Sequence, residues 1–187
     1  MSKTLLLSTV VVTFILGIGT GFILSPEYAN KMTAKKTVMV ELGRADKLID
    51  LRYLDGVIAH HLNAIFMARQ AEANSQRKEI RDLAKEIIIA DEKGIQELYE
   101  WKKSWFNNTK QITIYEKINL GAYDDKFDLR FLNALIAHHE EAIMTAKEIR
   151  TKSQRNEILN LADSIIQNLS SGIDTLTEWR NNWYQSK

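Results

Sequence analysis

The sequence predicts an all-α protein in which an N-terminal transmembrane helix precedes a four-helix bundle made of two tandem helical hairpins. Three observations predict this fold class. The chain of 187 residues contains only one Pro and eight Gly, so few residues interrupt helices. Its N-terminal part contains a long uncharged stretch, and the remainder consists of two similar copies of one pattern.

Residues 1–25 are predicted to form the transmembrane signal anchor. No charged residue occurs from Leu5 to Leu24, and a helix of this length spans about 30 Å, the thickness of the hydrocarbon layer. The alternative is a cleaved signal peptide, which has a shorter apolar stretch and a small-x-small cleavage site, and neither is evident before Ser25-Pro26. The chain is therefore expected in the cell membrane as a single-pass protein, with residues 26–43 as a linker.

The charges around this segment do not decide its orientation. Only Lys3 precedes it, whereas Lys31, Lys35, Lys36 and Arg44 follow it, and the positive-inside rule alone then favours a cytoplasmic bundle. Long domains after a signal anchor are nevertheless translocated despite such charges. The side of the membrane has to be inferred from other evidence.

The overall composition excludes several classes of function. The 25 basic residues nearly balance the 24 acidic ones, so no nucleic-acid partner is predicted. The absence of Cys excludes disulfides, thiolate metal sites and Cys nucleophiles. No nucleophile constellation, phosphate-binding loop or Glu-x-x-His di-iron motif is recognisable, so an enzyme is not predicted. Nothing identifies a protein partner.

A duplication organises residues 44–187, the predicted bundle. A shift of 78 residues aligns the segment starting at Asp46 with the segment starting at Asp124 without a gap. The matching landmarks are Asp50-Leu51-Arg52 with Asp128-Leu129-Arg130, His60-His61 with His138-His139, Ser75-Gln76-Arg77 with Ser153-Gln154-Arg155, and Trp101 and Trp105 with Trp179 and Trp183. Repeat one is predicted to span 46–107, the connection 108–123 and repeat two 124–185.

Each repeat is predicted to form two amphipathic helices, because its apolar residues recur at helical spacing. In repeat one these residues are Leu54, Val57, Ala64 and Ala71, followed by Ile80, Ala84, Ile87 and Leu98. A short turn separates the two helices of each repeat, and Ser75 and Ser153 are predicted to cap the helices that follow. Two such hairpins bury their apolar stripes only against one another, which predicts a four-helix bundle.

Two histidine pairs contain all four histidines of the chain. Adjacent helix positions differ by about 100°, so His60 and His61 straddle the apolar stripe, as His138 and His139 do in repeat two. Imidazole nitrogen suits copper, zinc, iron and nickel. The pairs are therefore candidate metal ligands, and the alternative is a set of imidazoles at the edge of the core, hydrogen-bonded to carboxylates or carbonyls.

Four further positions near these pairs have two interpretations each. Asp91 occupies a place in the apolar stripe and is either an additional metal ligand or an exposed acid paired with a Lys. Met67 is either a soft ligand or a core residue that fills a gap. Gly94 and Gly172 lie within helices, where Gly costs about 1 kcal/mol relative to Ala. They allow either close approach of two helices or room beside the histidines.

The motif D-x-x-[FY]-L-x-x-x-I-x-H-H-x-x-A-I, followed by A-x-x-I-I and by W-x-x-x-W, occurs in both repeats. It resembles the domain-of-unknown-function family numbered 305. The resemblance implies a ferritin-like four-helix bundle, secreted or anchored outside the cytoplasmic membrane, and some members are implicated in periplasmic copper binding. It therefore places the expected bundle on the extracytoplasmic side.

The chain departs from this family at several positions where members typically carry Met. Val57, Leu135 and Thr145 stand there instead, so both repeats are degenerate. The resulting hypothesis is a membrane-anchored extracytoplasmic bundle that binds copper or another divalent metal ion. Its predicted ligands are His60, His61, His138 and His139, assisted by Asp91 or Met67. The alternative hypothesis is a structural or interaction scaffold that binds no metal.

Overall fold

The computed structural model describes residues 42–184, and the predicted signal anchor and nearly all of the predicted linker lie outside the described residues. The described part contains four α-helices and no β-strand: α1 (Ile49–Asn74), α2 (Lys78–Phe106), α3 (Phe127–Arg150) and α4 (Asn156–Tyr184). The predicted all-α class is confirmed. None of the helices within residues 42–184 combines the length and the apolar character that crossing a membrane requires.

The helices form two hairpins, as the duplication predicts. Hairpin one consists of α1 and α2, hairpin two of α3 and α4, and α1 also packs on α3 where the two hairpins meet. The start of α1 lies beside the start of α4, since Asp50 and Arg155 are 3.3 Å apart. The start of α3 likewise lies beside the start of α2, where Asp128 and Arg77 are 3.7 Å apart. These pairs show that α1 and α3 run antiparallel.

The turns within the hairpins show that the predicted helix caps are wrong. Ser75 and Ser153 are not N-caps, because α2 begins at Lys78 and α4 at Asn156. Instead, the Ser75 hydroxyl accepts a hydrogen bond from the backbone N–H of Arg77 at 3.1 Å, and Ser153 does the same for Arg155. A serine hydroxyl readily bonds the N–H two residues ahead. The two serines therefore fix the turn before each helix rather than the first helical turn.

The connection between the hairpins runs along hairpin one without regular secondary structure. Near the end of α2, the backbone N–H of Ile112 donates to the Tyr99 hydroxyl at 2.8 Å. Near the end of α1, Gln70 accepts from the N–H of Leu120 at 2.9 Å. These two residues lie at opposite ends of the antiparallel helix pair. The connection therefore crosses from one end of the bundle to the other before α3 begins.

One hydrophobic core unites the two hairpins. Its buried members from hairpin one and the segment before it are Leu42, Ile49, Tyr53, Leu54, Val57, Ile58 and Leu98, and those from hairpin two are Ala146, Ile149, Ile158 and Ala162. Burying a Leu or Ile side chain stabilises a fold by about 1.5 to 3 kcal/mol relative to leaving it exposed. Neither hairpin can bury these residues alone.

Arginines just before α2 and α4 contact the opposite hairpin through Trp and Asp side chains. Each guanidinium stacks on a Trp of the other hairpin and faces an Asp of the other hairpin. The stacking partners are Arg77 with Trp183 at 4.3 Å and Arg155 with Trp105 at 4.2 Å from the ring centroid. Contacts of this kind are worth about 0.5 to 2 kcal/mol each. They hold both ends of the interface in the same way.

Candidate metal centre

The four histidines lie about halfway along α1 and α3, where the two hairpins meet. His138 and His139 are buried, with 5% and 9% of their surface exposed, and His60 and His61 are partly buried. The structure therefore places both predicted pairs at the border of the bundle interior, on two helices that pack together.

His60 and His138 stack on one another, with 3.5 Å between ring centroids and 23° between ring planes. The Nε2 atom of His138 lies 3.2 Å from the backbone carbonyl oxygen of His60. Because a carbonyl only accepts, Nε2 donates, and Nδ1 of His138 then carries the lone pair. This Nδ1 and the Nε2 of His60 are buried and have no hydrogen-bond partner among the described residues.

His61 pairs with Asp91 of α2. Its Nδ1 lies 2.8 Å from the Asp91 Oδ1, and the Asp91 side chain is 18% exposed. The interpretation of Asp91 as an exposed acid paired with a Lys is therefore wrong. Burial lowers the pKa of His61, but the charge of Asp91 and its hydrogen bond outweigh burial, so this pKa lies above its ordinary value.

The mid-helix glycines make room for imidazole rings. A Cβ atom on Gly94 would lie 3.5 Å from Nε2 of His61, and a Cβ on Gly172 would lie 3.2 Å from Cδ2 of His139. These nearest atoms belong to histidine side chains and not to the backbone of another helix. Of the two interpretations of the glycines, room beside the histidines is confirmed.

His139 has the same position in hairpin two but lacks a carboxylate. Leu169 occupies the place that corresponds to Asp91. The Nδ1 of His139 is buried and has no hydrogen-bond partner within the described part of the chain. Burial lowers the pKa of His139 to about 4, although the negative charge of Asp91 raises it slightly.

The stacked pair is also held neutral. Burial, followed by the charge of His139, lowers the pKa of His138 to about 3. Burial lowers the pKa of His60 well below its usual range, and the charge of His138 adds to this effect. Three of the four imidazoles are therefore uncharged at neutral pH, and each keeps a lone pair suited to a metal ion.

Met67 lies apart from these rings. It is fully buried in α1, seven residues beyond His60, which is a rise of about 10 Å along the helix axis. The structure thus gives Met67 a core environment at another level of the bundle.

The donor chemistry fits a metal ion, but the rings are not arranged around one. In residues 42–184, no group of three or more His, Asp or Glu side chains is placed so that it could hold a metal ion. Within the stack, the two nearly parallel rings direct their in-plane lone pairs side by side and not towards one point. A metal ion held by both stacked rings would therefore require rotation of at least one imidazole.

Sequence reasoning missed one participant, the backbone carbonyl of His60 that accepts from His138. No side-chain pattern identifies such a partner, because every residue carries a carbonyl. The pairing of Asp91 with His61 had a visible signal, since an acidic residue interrupts an apolar stripe. Its partner became identifiable only when the two helices were placed side by side.

Comparisons with known proteins show which family and which solved structures this chain is similar to. A family model described as domain of unknown function, DUF305, matches residues 50–121 and 109–180. The structure of CopM in the Cu(II)-bound form is 31% identical, covers 72% of this chain and 97% of its own chain, and has a TM-score of 0.63. The structures of CopM in the Cu(I)-bound form and in the apo form have the same 31% sequence identity to this chain, with TM-scores of 0.64. No curated protein matches significantly by sequence.

Proposed function

The chain belongs to the DUF305 family, and from this premise we propose that its bundle binds copper or another divalent metal ion through His60, His61, His138 and His139. The observation that carries the proposal is the set of three buried imidazole nitrogens, in His60, His138 and His139, that lack hydrogen-bond partners among the described residues. Leaving a buried polar atom unsatisfied costs about 1 to 3 kcal/mol. A bound metal ion offsets that cost for a nitrogen that carries a lone pair.

The donor set favours divalent ions. Imidazole and carboxylate accept Cu(II) and Zn(II), whereas thioethers favour Cu(I). The related CopM has been solved with Cu(I), Cu(II) and Ag. In this chain Val57, Leu135 and Thr145 stand where a Met would supply a thioether. We therefore expect Cu(II) or Zn(II) to bind more tightly than Cu(I), with micromolar or weaker affinity because an imidazole has to rotate.

We also propose that residues 1–25 anchor the protein in the cell membrane and that the bundle faces the extracytoplasmic side. The uncharged stretch from Leu5 to Leu24 supports the anchor, and the family resemblance supports the orientation. Protease added to intact cells should then cleave the bundle. Cleavage that occurs only after lysis would reverse the orientation.

A scaffold without metal is the second candidate, and one observation favours it. Two contacts of the histidine cluster are complete without an ion: His61 with Asp91, and His138 with the carbonyl of His60. Under this alternative the histidines specify how the two hairpins dock. In either case we propose that the chain acts by binding and not by catalysis.

Metal analysis separates the two candidates. The full-length chain is purified in detergent, exposed to Cu(I), Cu(II) or Zn(II), and examined by calorimetry and by elemental analysis after dialysis. The control replaces the four histidines with Gln, and circular dichroism verifies its fold. Metal retained by the wild type and lost from the control supports the proposal. If calorimetry detects no heat and the wild type retains no metal, the scaffold without metal is the remaining candidate. Equal retention by the wild type and the control would show that the ligands are not these histidines.

A further inference from the structure

The two halves of the histidine cluster differ at one position. Each half has a histidine, His61 or His139, whose ring lies beside a helical glycine, Gly94 or Gly172. Among the described residues, a carboxylate lies at the Nδ1 edge of His61, that of Asp91, and none lies at the Nδ1 edge of His139. The two copies of the duplicated arrangement therefore share the His–Gly contact and differ in the carboxylate beside the ring.

In hairpin one, the carboxylate determines which ring nitrogen carries the proton. Oδ1 of Asp91 can only accept, so Nδ1 of His61 donates at 2.8 Å. In the neutral ring the lone pair then resides on Nε2, and this atom would lie 3.5 Å from a Cβ atom on Gly94. A carboxylate in this position also makes the opposite nitrogen a stronger donor to a metal ion.

In hairpin two, no described residue accepts a hydrogen bond from Nδ1 of the corresponding histidine. Nδ1 of His139 is buried without a partner in the described part of the chain, and Leu169 cannot accept a hydrogen bond. The ring edge beside Gly172 is the same edge as in hairpin one, with Nε2 3.3 Å from the position of a Cβ atom. The proton of His139 is therefore free to reside on either nitrogen.

We propose that the two halves bind metal unequally, with Nε2 of His61 as the tighter position and Asp91 as the residue that orients this imidazole. This inference rests on the proposed metal binding. Asp91 is a positioning residue and not a ligand, because it contacts the ring edge opposite Nε2. An ion bound to Nε2 therefore lies on the far side of the ring from the carboxylate.

Exchanging the two unequal residues tests the proposal. Asp91→Leu gives hairpin one the side chain that hairpin two already carries at the equivalent place. Leu169→Asp installs a carboxylate beside His139, and Leu169→Asn is its uncharged control. All variants are made in the full-length chain in detergent, and circular dichroism verifies their folding. If Leu169→Asp does not fold, Asp91→Leu alone decides the test.

The first readout requires no metal. Nitrogen-15 chemical shifts of the histidine rings, recorded at about pH 9 where imidazoles are neutral, report which nitrogen carries the proton. We expect the Nδ1–H form for His61 in the wild type, a mixture in Asp91→Leu, and the Nδ1–H form for His139 in Leu169→Asp. A His61 proton distribution that is unchanged in Asp91→Leu would overturn the positioning role.

The second readout is calorimetry with Zn(II). Loss of an outer carboxylate typically weakens a metal site by about 10- to 100-fold, and we expect Asp91→Leu to weaken the tighter position by this factor. Leu169→Asp should add a second position of similar affinity, whereas Leu169→Asn should not. Equal positions in the wild type, or unchanged affinity in Asp91→Leu, would overturn the inequality while leaving metal binding intact. If the wild type does not bind Zn(II), the titration is repeated with Cu(II), and failure to bind either ion would overturn both proposals.

Discussion

The imidazoles of His60 and His138 stack with their centroids 3.5 Å apart, although 78 residues separate them in the chain. Each occupies the same position in its repeat, so the contact joins two equivalent residues where α1 packs on α3. A metal ion bound at this stack would therefore link the two hairpins as well as the two rings.

Replacing both stacked histidines should remove most Cu(II) binding. We expect His60→Ala with His138→Ala to weaken binding by at least about 10-fold, because two imidazole ligands are lost. Met67→Ala should change it little, because Met67 is in the core at another level and thioethers prefer Cu(I). Equilibrium dialysis of the two variants measures the difference. Equal losses would show that Met67 belongs to the site.

Acid should destabilise the metal-free bundle between about pH 7 and pH 4. Folding lowers the pKa of His139 to about 4 and that of His138 to about 3, whereas the unfolded chain keeps values near 6.5. Below pH 6.5 the unfolded state therefore binds more protons, and stability falls as pH falls. Each imidazole contributes up to about 1.4 kcal/mol per pH unit. Urea unfolding across this range measures the slope, which His139→Gln should reduce.

His61 should have the opposite pH dependence. Asp91 raises its pKa in the folded state despite burial, so the folded state holds this proton more tightly than the unfolded state does. The stabilisation is complete below the unfolded pKa and is lost as pH rises through the folded value. Asp91→Asn should therefore destabilise the bundle at about pH 6 more than at about pH 9. Equal destabilisation at both pH values would contradict a charged His61–Asp91 pair.

The two mid-helix glycines should respond differently to Ala. Replacing a helical Gly by Ala stabilises a helix by about 1 kcal/mol when space permits. At Gly94 the new Cβ would make an ordinary contact with His61 at 3.5 Å, so most of this gain should appear. At Gly172 the contact with His139 shortens to 3.2 Å and the ring has to move, so the gain should be smaller or negative. Thermal unfolding of both variants tests the order.

Lys102 should contribute more to stability than its counterpart in repeat two. Its fully buried ammonium group donates to the carbonyl of Lys110 at 2.8 Å and pairs with Asp55 at 2.7 Å. Lys102→Met should leave that carbonyl unpaired and cost about 1 to 3 kcal/mol. The counterpart, Arg180, is less buried and bonds the neutral Asn133. Arg180→Met should therefore cost less in urea unfolding, and the reverse order would contradict the larger contribution of Lys102.

The duplication made most of the fold predictable, because a repeat that contains two amphipathic helices has few ways to bury both apolar stripes. The same duplication predicted that both histidine pairs would straddle the apolar stripe of their repeats. Two features were not predictable. The start of a helix depends on local backbone geometry, so Ser75 reads as a cap in the sequence although it fixes a turn. The partner of Asp91 depends on how α2 is rotated against α1, which the spacing of apolar residues defines only to within about one helix position.

The two arginine–tryptophan contacts between the hairpins are reciprocal, as they would be between two copies of one subunit. Arg77 of the first repeat contacts Trp183 of the second, and Arg155 of the second contacts Trp105 of the first. This reciprocity is the rule for the isologous interface of a twofold homodimer. The bundle therefore has the form of a homodimer whose subunits have been joined covalently. A homodimer must carry the same residue at both symmetry-related places, whereas a fused chain can place Asp91 in one half and Leu169 in the other.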